Sequence, residues 1–146
     1  MKKTFARLAI FAMILLLNSC SSRDAGESFP YGSYHYRSYN FLGDLVGDGT
    51  IYINKSDSNM VTGNWNIREV RLCPNCGRQF GSGYLEGYIE NDTLIVNLNP
   101  NDIDIDTKLI GVLTEDEFSG DWRWVDRQGF GFSGQFTAIK QSSRPI

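Results

Sequence analysis

A five-residue pattern constrains this chain more than any other feature. It is an apolar residue, any residue, glycine, any residue, and a second apolar residue. It occurs six times, at Phe41–Leu45, Val61–Trp65, Leu85–Ile89, Leu109–Leu113, Phe118–Trp122 and Phe132–Phe136. Positions two apart lie on one face of a β-strand, so each copy predicts a strand whose glycine sits on the inward face between two large side chains. Gly63, Gly87, Gly111 and Gly134 follow one another at intervals of 24, 24 and 23 residues. Glycine belongs there where a strand bends or where a ring packs over bare backbone, and it also leaves room for a ligand.

The pattern extends into strands near 39–45, 49–55, 60–67, 80–90, 93–99, 107–114, 117–125 and 130–140, separated by turn-forming Gly, Asn, Asp and Ser. One face collects Phe41/Leu45, Ile51/Ile53, Val61/Trp65/Ile67, Leu85/Ile89, Leu94/Val96/Leu98, Leu109/Leu113, Phe118/Trp122/Trp124 and Phe130/Phe132/Phe136. The opposite face is polar except on the sixth strand, where Ile110 and Val112 call for a cover such as the aromatic N-terminal segment or another subunit. No helical period appears beyond the first twenty residues. The fold class is all-β, about eight antiparallel strands in an up-and-down barrel, with a sandwich as second choice. A barrel of this size either fills with side chains or holds one small ligand. The inward apolar list favours filling.

The span 39–140 resembles the lipocalin-like, or calycin, barrels, among which the avidin type is also counted. The resemblance rests on strand count, connectivity and the pairs Gly63-Asn-Trp65 and Gly120-Asp-Trp122. In lipocalins such a pair belongs on the first strand, whereas here the pairs fall on the third and seventh. What the resemblance implies is the fold. A small apolar ligand, if held inside, is expected against Trp65, Trp122, Trp124 and Phe136.

The chain opens with a basic segment, Met1–Arg7, followed by ten apolar residues, Leu8–Leu17, and then Asn18-Ser-Cys20. Ten is too few for a spanning helix and suits a secretory signal peptide. Leu17-Asn-Ser-Cys20 resembles the lipobox of bacterial lipoproteins. That resemblance implies cleavage before Cys20, lipid on Cys20, and a membrane partner through the anchor. Ser21 in place of aspartate favours the outer over the inner membrane. The expected organisation is a signal peptide at 1–19, a lipidated N-terminus and tether at 20–38, the barrel at 39–140 and a tail at 141–146. Removing 19 of 146 residues leaves 127, carrying 11 basic and 17 acidic residues and a net charge of −6. Such a domain is repelled by nucleic acid.

Phe29 to Phe41 is dense in aromatics: Phe29, Tyr31, Tyr34, Tyr36, Tyr39 and Phe41, with His35, the single histidine. It reads as a segment packing tyrosines along the domain surface or leading into the first strand. A carbohydrate- or partner-binding stripe is the functional alternative.

Cys73-Pro-Asn-Cys76-Gly77 is the sharpest local motif, in the longest connection, 68–79, among Arg68, Arg71 and Arg78. In an oxidising compartment a disulfide leads. Half a zinc site and a redox pair are the alternatives, the first short of two ligands and the second of a strand-to-helix context. Asp102-Ile-Asp-Ile-Asp106 lacks the glycine and glutamate of a calcium loop and reads as a solvated face. One histidine supports neither a multi-histidine metal site nor a nucleophilic triad. These residues imply no metal, no cofactor and no enzyme. The expectation is a lipid-anchored binding or structural barrel of the bacterial envelope. Its alternative is an interaction or inhibitor lipoprotein that contacts an envelope protein through the 68–79 loop.

Overall fold

Alternating side chains and short turns close the chain on itself. The computed structural model describes residues 30–55, 57–102, 106–125, 128–129 and 131–142. It contains β1 (Gly32–Tyr39), β2 (Leu45–Lys55), β3 (Met60–Glu69), β4 (Gly81–Glu90), β5 (Thr93–Asn97), β6 (Thr107–Leu113), β7 (Glu117–Val125) and β8 (Gly131–Lys140). Each strand pairs antiparallel with the next, and β1 pairs with β8 from Tyr34↔Lys140 to Tyr39↔Gln135, closing an eight-stranded barrel. The up-and-down barrel is therefore the fold, and closure leaves no free sheet edge.

The first strand lies earlier than the glycine pattern suggests. A tether running to residue 38 and a strand at 39–45 are both corrected: β1 is Gly32–Tyr39, inside the aromatic segment. Tyr34, Tyr36 and Ser38 point inward and are buried, while His35 and Arg37 face out. Residues 40–44 form a turn instead. The Asn40 side-chain oxygen accepts the N–H groups of Leu42 and Asp44, and Gly43 adopts φ 83°, a left-handed conformation glycine takes without a Cβ clash. Phe41, placed in the core by the pattern, is 83% exposed at the tip of this turn.

The other five copies of the pattern lie on strands. Their glycines mark close approaches of neighbouring backbone. A methyl group added at Gly63 would land on the carbonyl oxygen of Tyr52, and at Gly134 on that of Tyr39. The Trp122 indole also packs over Gly134. Tight coiling of the barrel, with rings over bare backbone, accounts for these glycines without an empty interior.

Side chains fill that interior. Trp122, Tyr34, Tyr36, Phe118, Phe136, Ile51, Ile53, Leu85, Leu94 and Leu109 are all under 2% exposed. Phe118 meets Phe136 edge-on at 4.7 Å, and Tyr36 stacks on Phe136 at 5.8 Å. Ile89, Leu113, Trp124 and Phe132 are partly buried against this core. Of the expected inward residues, Phe130 lies outside the described residues, as do residues 103–105 of the acidic segment, Cys20 and the whole 1–29 segment. On β6, Val112 remains exposed and Ile110 half-buried. The aromatic N-terminal segment does not cover them, because as β1 it is built into the wall between β2 and β8.

Candidate functional site

The two ends of the barrel differ. One end carries the β2–β3, β4–β5 and β6–β7 connections; here it is termed the turn end. The other carries the β1–β2, β3–β4, β5–β6 and β7–β8 connections; it is the loop end. Most features able to recognise another molecule lie at the loop end.

The sequence of the β3–β4 connection explains how it closes that end. Val70 donates its N–H to the Val46 carbonyl, Arg71 pairs with Asp44 at 2.8 Å, and Arg78 pairs with Asp102 at 3.3 Å. Glu69 accepts the Cys73 N–H at 2.9 Å. Cys73 and Cys76 are joined as a disulfide, which replaces the half-zinc and dithiol alternatives. Cys76 is fully buried in the core cluster, and Cys73 packs partly against it. Gly77, at φ 67°, lies against the Trp124 ring so closely that any side chain there would overlap it.

Gln79 follows the disulfide and is fully buried. Its Nε2 donates to the Cys76 carbonyl at 2.8 Å, and its Oε1 accepts the Tyr36 hydroxyl at 3.2 Å. Burial pushes the Tyr36 hydroxyl well above its ordinary pKa, against a smaller opposing pull from the Ser38 side chain. Thr107 is also fully buried, and Thr107 Oγ1 and Trp124 Nε1 find no hydrogen-bond partner among the described residues. An interior expected to be almost wholly apolar thus has a polar layer beneath the cysteine loop. Reading β1 as a tether concealed it, because Tyr36 and Ser38 belong to that strand. Buried Gln79 inside a charged loop gave no periodic signal.

The four aromatic residues expected to hold a ligand separate into two groups. Trp65, Trp122 and Phe136 are buried and packed. The Trp65 indole donates to the Leu98 carbonyl at 2.7 Å, and the Trp122 indole to the Tyr39 carbonyl at 2.8 Å. Trp124 differs: it is half-buried and stacked on Phe132 at 5.4 Å with 22° between planes.

Trp124 and Phe132 form part of an open groove of about 760 Å³ between the 40–44 turn and strands β7 and β8. Phe41 and Leu42 supply its apolar lip, and Asp121, Arg123, Ser133 and Gln135 supply polar groups. The groove is open to solvent, with polar and apolar groups in comparable measure along its lining. On the outer wall, away from the groove, Asp48 accepts His35 at 3.0 Å and Arg68 at 3.2 Å, with Arg37 at 3.5 Å. Burial alone would raise the Asp48 pKa, but the bonds from His35 and Arg68 outweigh it and hold the carboxyl below its usual range.

No protein-family profile matches the chain, and no curated protein matches it. Among solved structures it is similar to EF1p2_mFAP2b bound to DFHBI, with a TM-score of 0.52 and 14% identity over 77% of this chain and 94% of that one. It is also similar to a redesigned β-barrel, with a TM-score of 0.50 and 11% identity over 79% of this chain and 94% of that one. At such identities the likeness shows the fold.

Proposed function

We propose that this protein is a non-enzymatic, lipid-anchored envelope barrel that binds a small, flat, apolar ligand in the groove at its loop end. The groove walled by stacked Trp124 and Phe132 and lipped by exposed Phe41 and Leu42 is the observation that carries this reading. A flat ligand would gain apolar contact there, with Arg123, Ser133 and Gln135 setting its orientation. The ligand is placed outside the filled core, so Trp65, Trp122 and Phe136 support the site without touching it. The barrel of a structural neighbour holds DFHBI, which makes that compound a convenient first probe.

Fluorescence titration with DFHBI and with fatty-acid and retinoid-like probes tests the reading. The expected result is saturable binding at micromolar concentrations, lost in Trp124→Ala and weakened in Phe41→Asp. No binding by any probe would remove the ligand function.

The anchor is part of the same proposal and rests on the lipobox resemblance at Leu17–Cys20. In this reading lipid on Cys20 attaches the protein to a membrane, most simply the outer membrane. Acyl chains at about 0.8 kcal/mol per buried methylene suffice for stable attachment. Cys20→Ser should abolish palmitate labelling and leave the precursor uncleaved; cleavage and labelling that persist would refute the anchor.

A second reading, contact with an envelope protein, draws on the cysteine loop. Leu72 is 81% exposed on it, beside half-exposed Val70. Leu72→Asp should then eliminate a cross-linked partner while leaving DFHBI binding intact; a partner retained by this variant would oppose the reading.

A further inference from the structure

The polar layer beneath the cysteine loop is built like a binding site with its own occupant. Gln79 leaves a charged, solvent-facing connection and inserts a carboxamide into the mouth of the barrel, where it is fully buried. A primary amide presents one acceptor and one donor group. Here both are used: the oxygen by the Tyr36 hydroxyl, the nitrogen by the Cys76 carbonyl. Three further buried polar atoms of this end, Ser38 Oγ, Thr107 Oγ1 and Trp124 Nε1, are left without partners among the described residues. Thr107 and Trp124 are directly opposed residues of β6 and β7, and the Trp124 ring is covered by Gly77 of the same loop. Buried polar groups are nearly always satisfied, so an unfilled indole donor and unfilled hydroxyls at the end that Gln79 enters point to a larger complement.

We infer that the barrel mouth beneath residues 70–80 is an occluded site for a small planar molecule bearing an amide N–H between two carbonyls, as in a cyclic imide, and that Gln79 fills it in the ligand's absence. The loop acts as the lid. Its disulfide holds Cys76 and Gly77 against the core, so displacing Gln79 requires the 70–80 segment to lift as a unit. The incoming ring takes over the Tyr36 hydroxyl through its carbonyl. Its N–H donates to the Cys76 carbonyl that Gln79 vacates, and its second carbonyl accepts from Thr107 Oγ1 and Trp124 Nε1. This site is separate from the outer groove, with which it shares only the Trp124 ring.

Chemical rescue of Gln79→Ala tests the inference. This substitution deletes a group equivalent to acetamide. Acetamide should therefore raise the melting temperature of the variant saturably, and at least tenfold more tightly than acetone, which supplies an acceptor and no donor. Wild type should not respond, and adding Tyr36→Phe should erase the preference for acetamide. If Gln79→Ala is unfolded, acetamide should restore the fold and acetone should not. A variant that ignores acetamide, or that responds equally to acetone, overturns the proposal. A second arm uses Cys73→Ser/Cys76→Ser, whose lid lacks its staple. Titration with succinimide should shift the Thr107 amide and the Trp124 indole resonances, with Phe41→Asp leaving that response unchanged. The absence of both shifts also overturns it.

Discussion

The turn end and the loop end of one barrel solve the same closure problem differently. At the turn end the chain reverses in few residues. Asn91 and Asp92, at φ 48° and 62°, join β4 to β5 directly, in the doubly left-handed geometry that matches strand twist. Thr114 and Glu117 exchange main-chain and side-chain hydrogen bonds across the β6–β7 connection. Tyr34 and Phe118 fill the interior beside these turns, and the Tyr34 hydroxyl donates to the Pro30 carbonyl. At the loop end an eleven-residue segment, 70–80, is folded over the mouth. It brings in a disulfide, a buried glutamine and apolar side chains left in water. Short hydrogen-bonded turns over a packed interior close the first end, whereas the second adds a stapled loop and buried polar groups without partners among the described residues.

This contrast predicts that stability and recognition come apart when the two ends are mutated. Phe118→Ala, at the turn end, should lower unfolding free energy by about 3–5 kcal/mol in denaturant titration and leave groove binding intact in the folded fraction. Trp124→Ala should cost only about 2 kcal/mol, since its ring is half-buried, yet abolish ligand binding. Replacing Cys73 and Cys76 by serine should cost about 2 kcal/mol by loop entropy. Hydrogen exchange should then quicken in residues 70–80 while β4–β7 near the turn end stay protected.

A pH prediction belongs to the turn end. Burial, aided by the nearby Asp116 carboxylate, pushes Tyr34 up to about 12 from 10.0. The folded state therefore keeps its proton where the unfolded chain loses it. Stability from this group is complete below pH 10 and declines as pH rises toward 12. Alkaline melting curves should show that fall, and Tyr34→Phe should flatten it. The smallest effect is expected at the β4–β5 turn, where Asp92→Gly relieves a left-handed non-glycine and should add about 0.5 kcal/mol.

The barrel wall was legible because its signal is periodic. Val61/Trp65/Ile67 and Leu94/Val96/Leu98 announce their face by alternation, and the inward glycines announce tight coiling. The loop end was less so, for identifiable reasons. Phe41-Leu-Gly-Asp-Leu45 matches the strand pattern, but Asn40 ahead of it makes the side-chain hydrogen bonds that turn the chain. Tyr34, Tyr36 and Ser38 alternate as a strand should, yet a tyrosine and a serine do not look like core until the barrel closes over them. The disulfide was the leading reading of Cys73 and Cys76, with half a zinc site and a redox pair as alternatives that the spacing alone left open. That its loop would carry Gln79 inward could not. Long-range packing decides which face of an irregular segment is buried, and no local spacing encodes it.

The three tryptophans offer the most direct test of where recognition occurs. Their indole N–H resonances can be followed together while DFHBI is titrated into the folded protein. A loop-end groove outside a filled core predicts that the Trp124 resonance moves with saturation while those of Trp65 and Trp122, bonded to the Leu98 and Tyr39 carbonyls, stay in place. Movement of Trp65 and Trp122 with Trp124 unchanged would mean that the ligand enters the core, contradicting the division between the two ends.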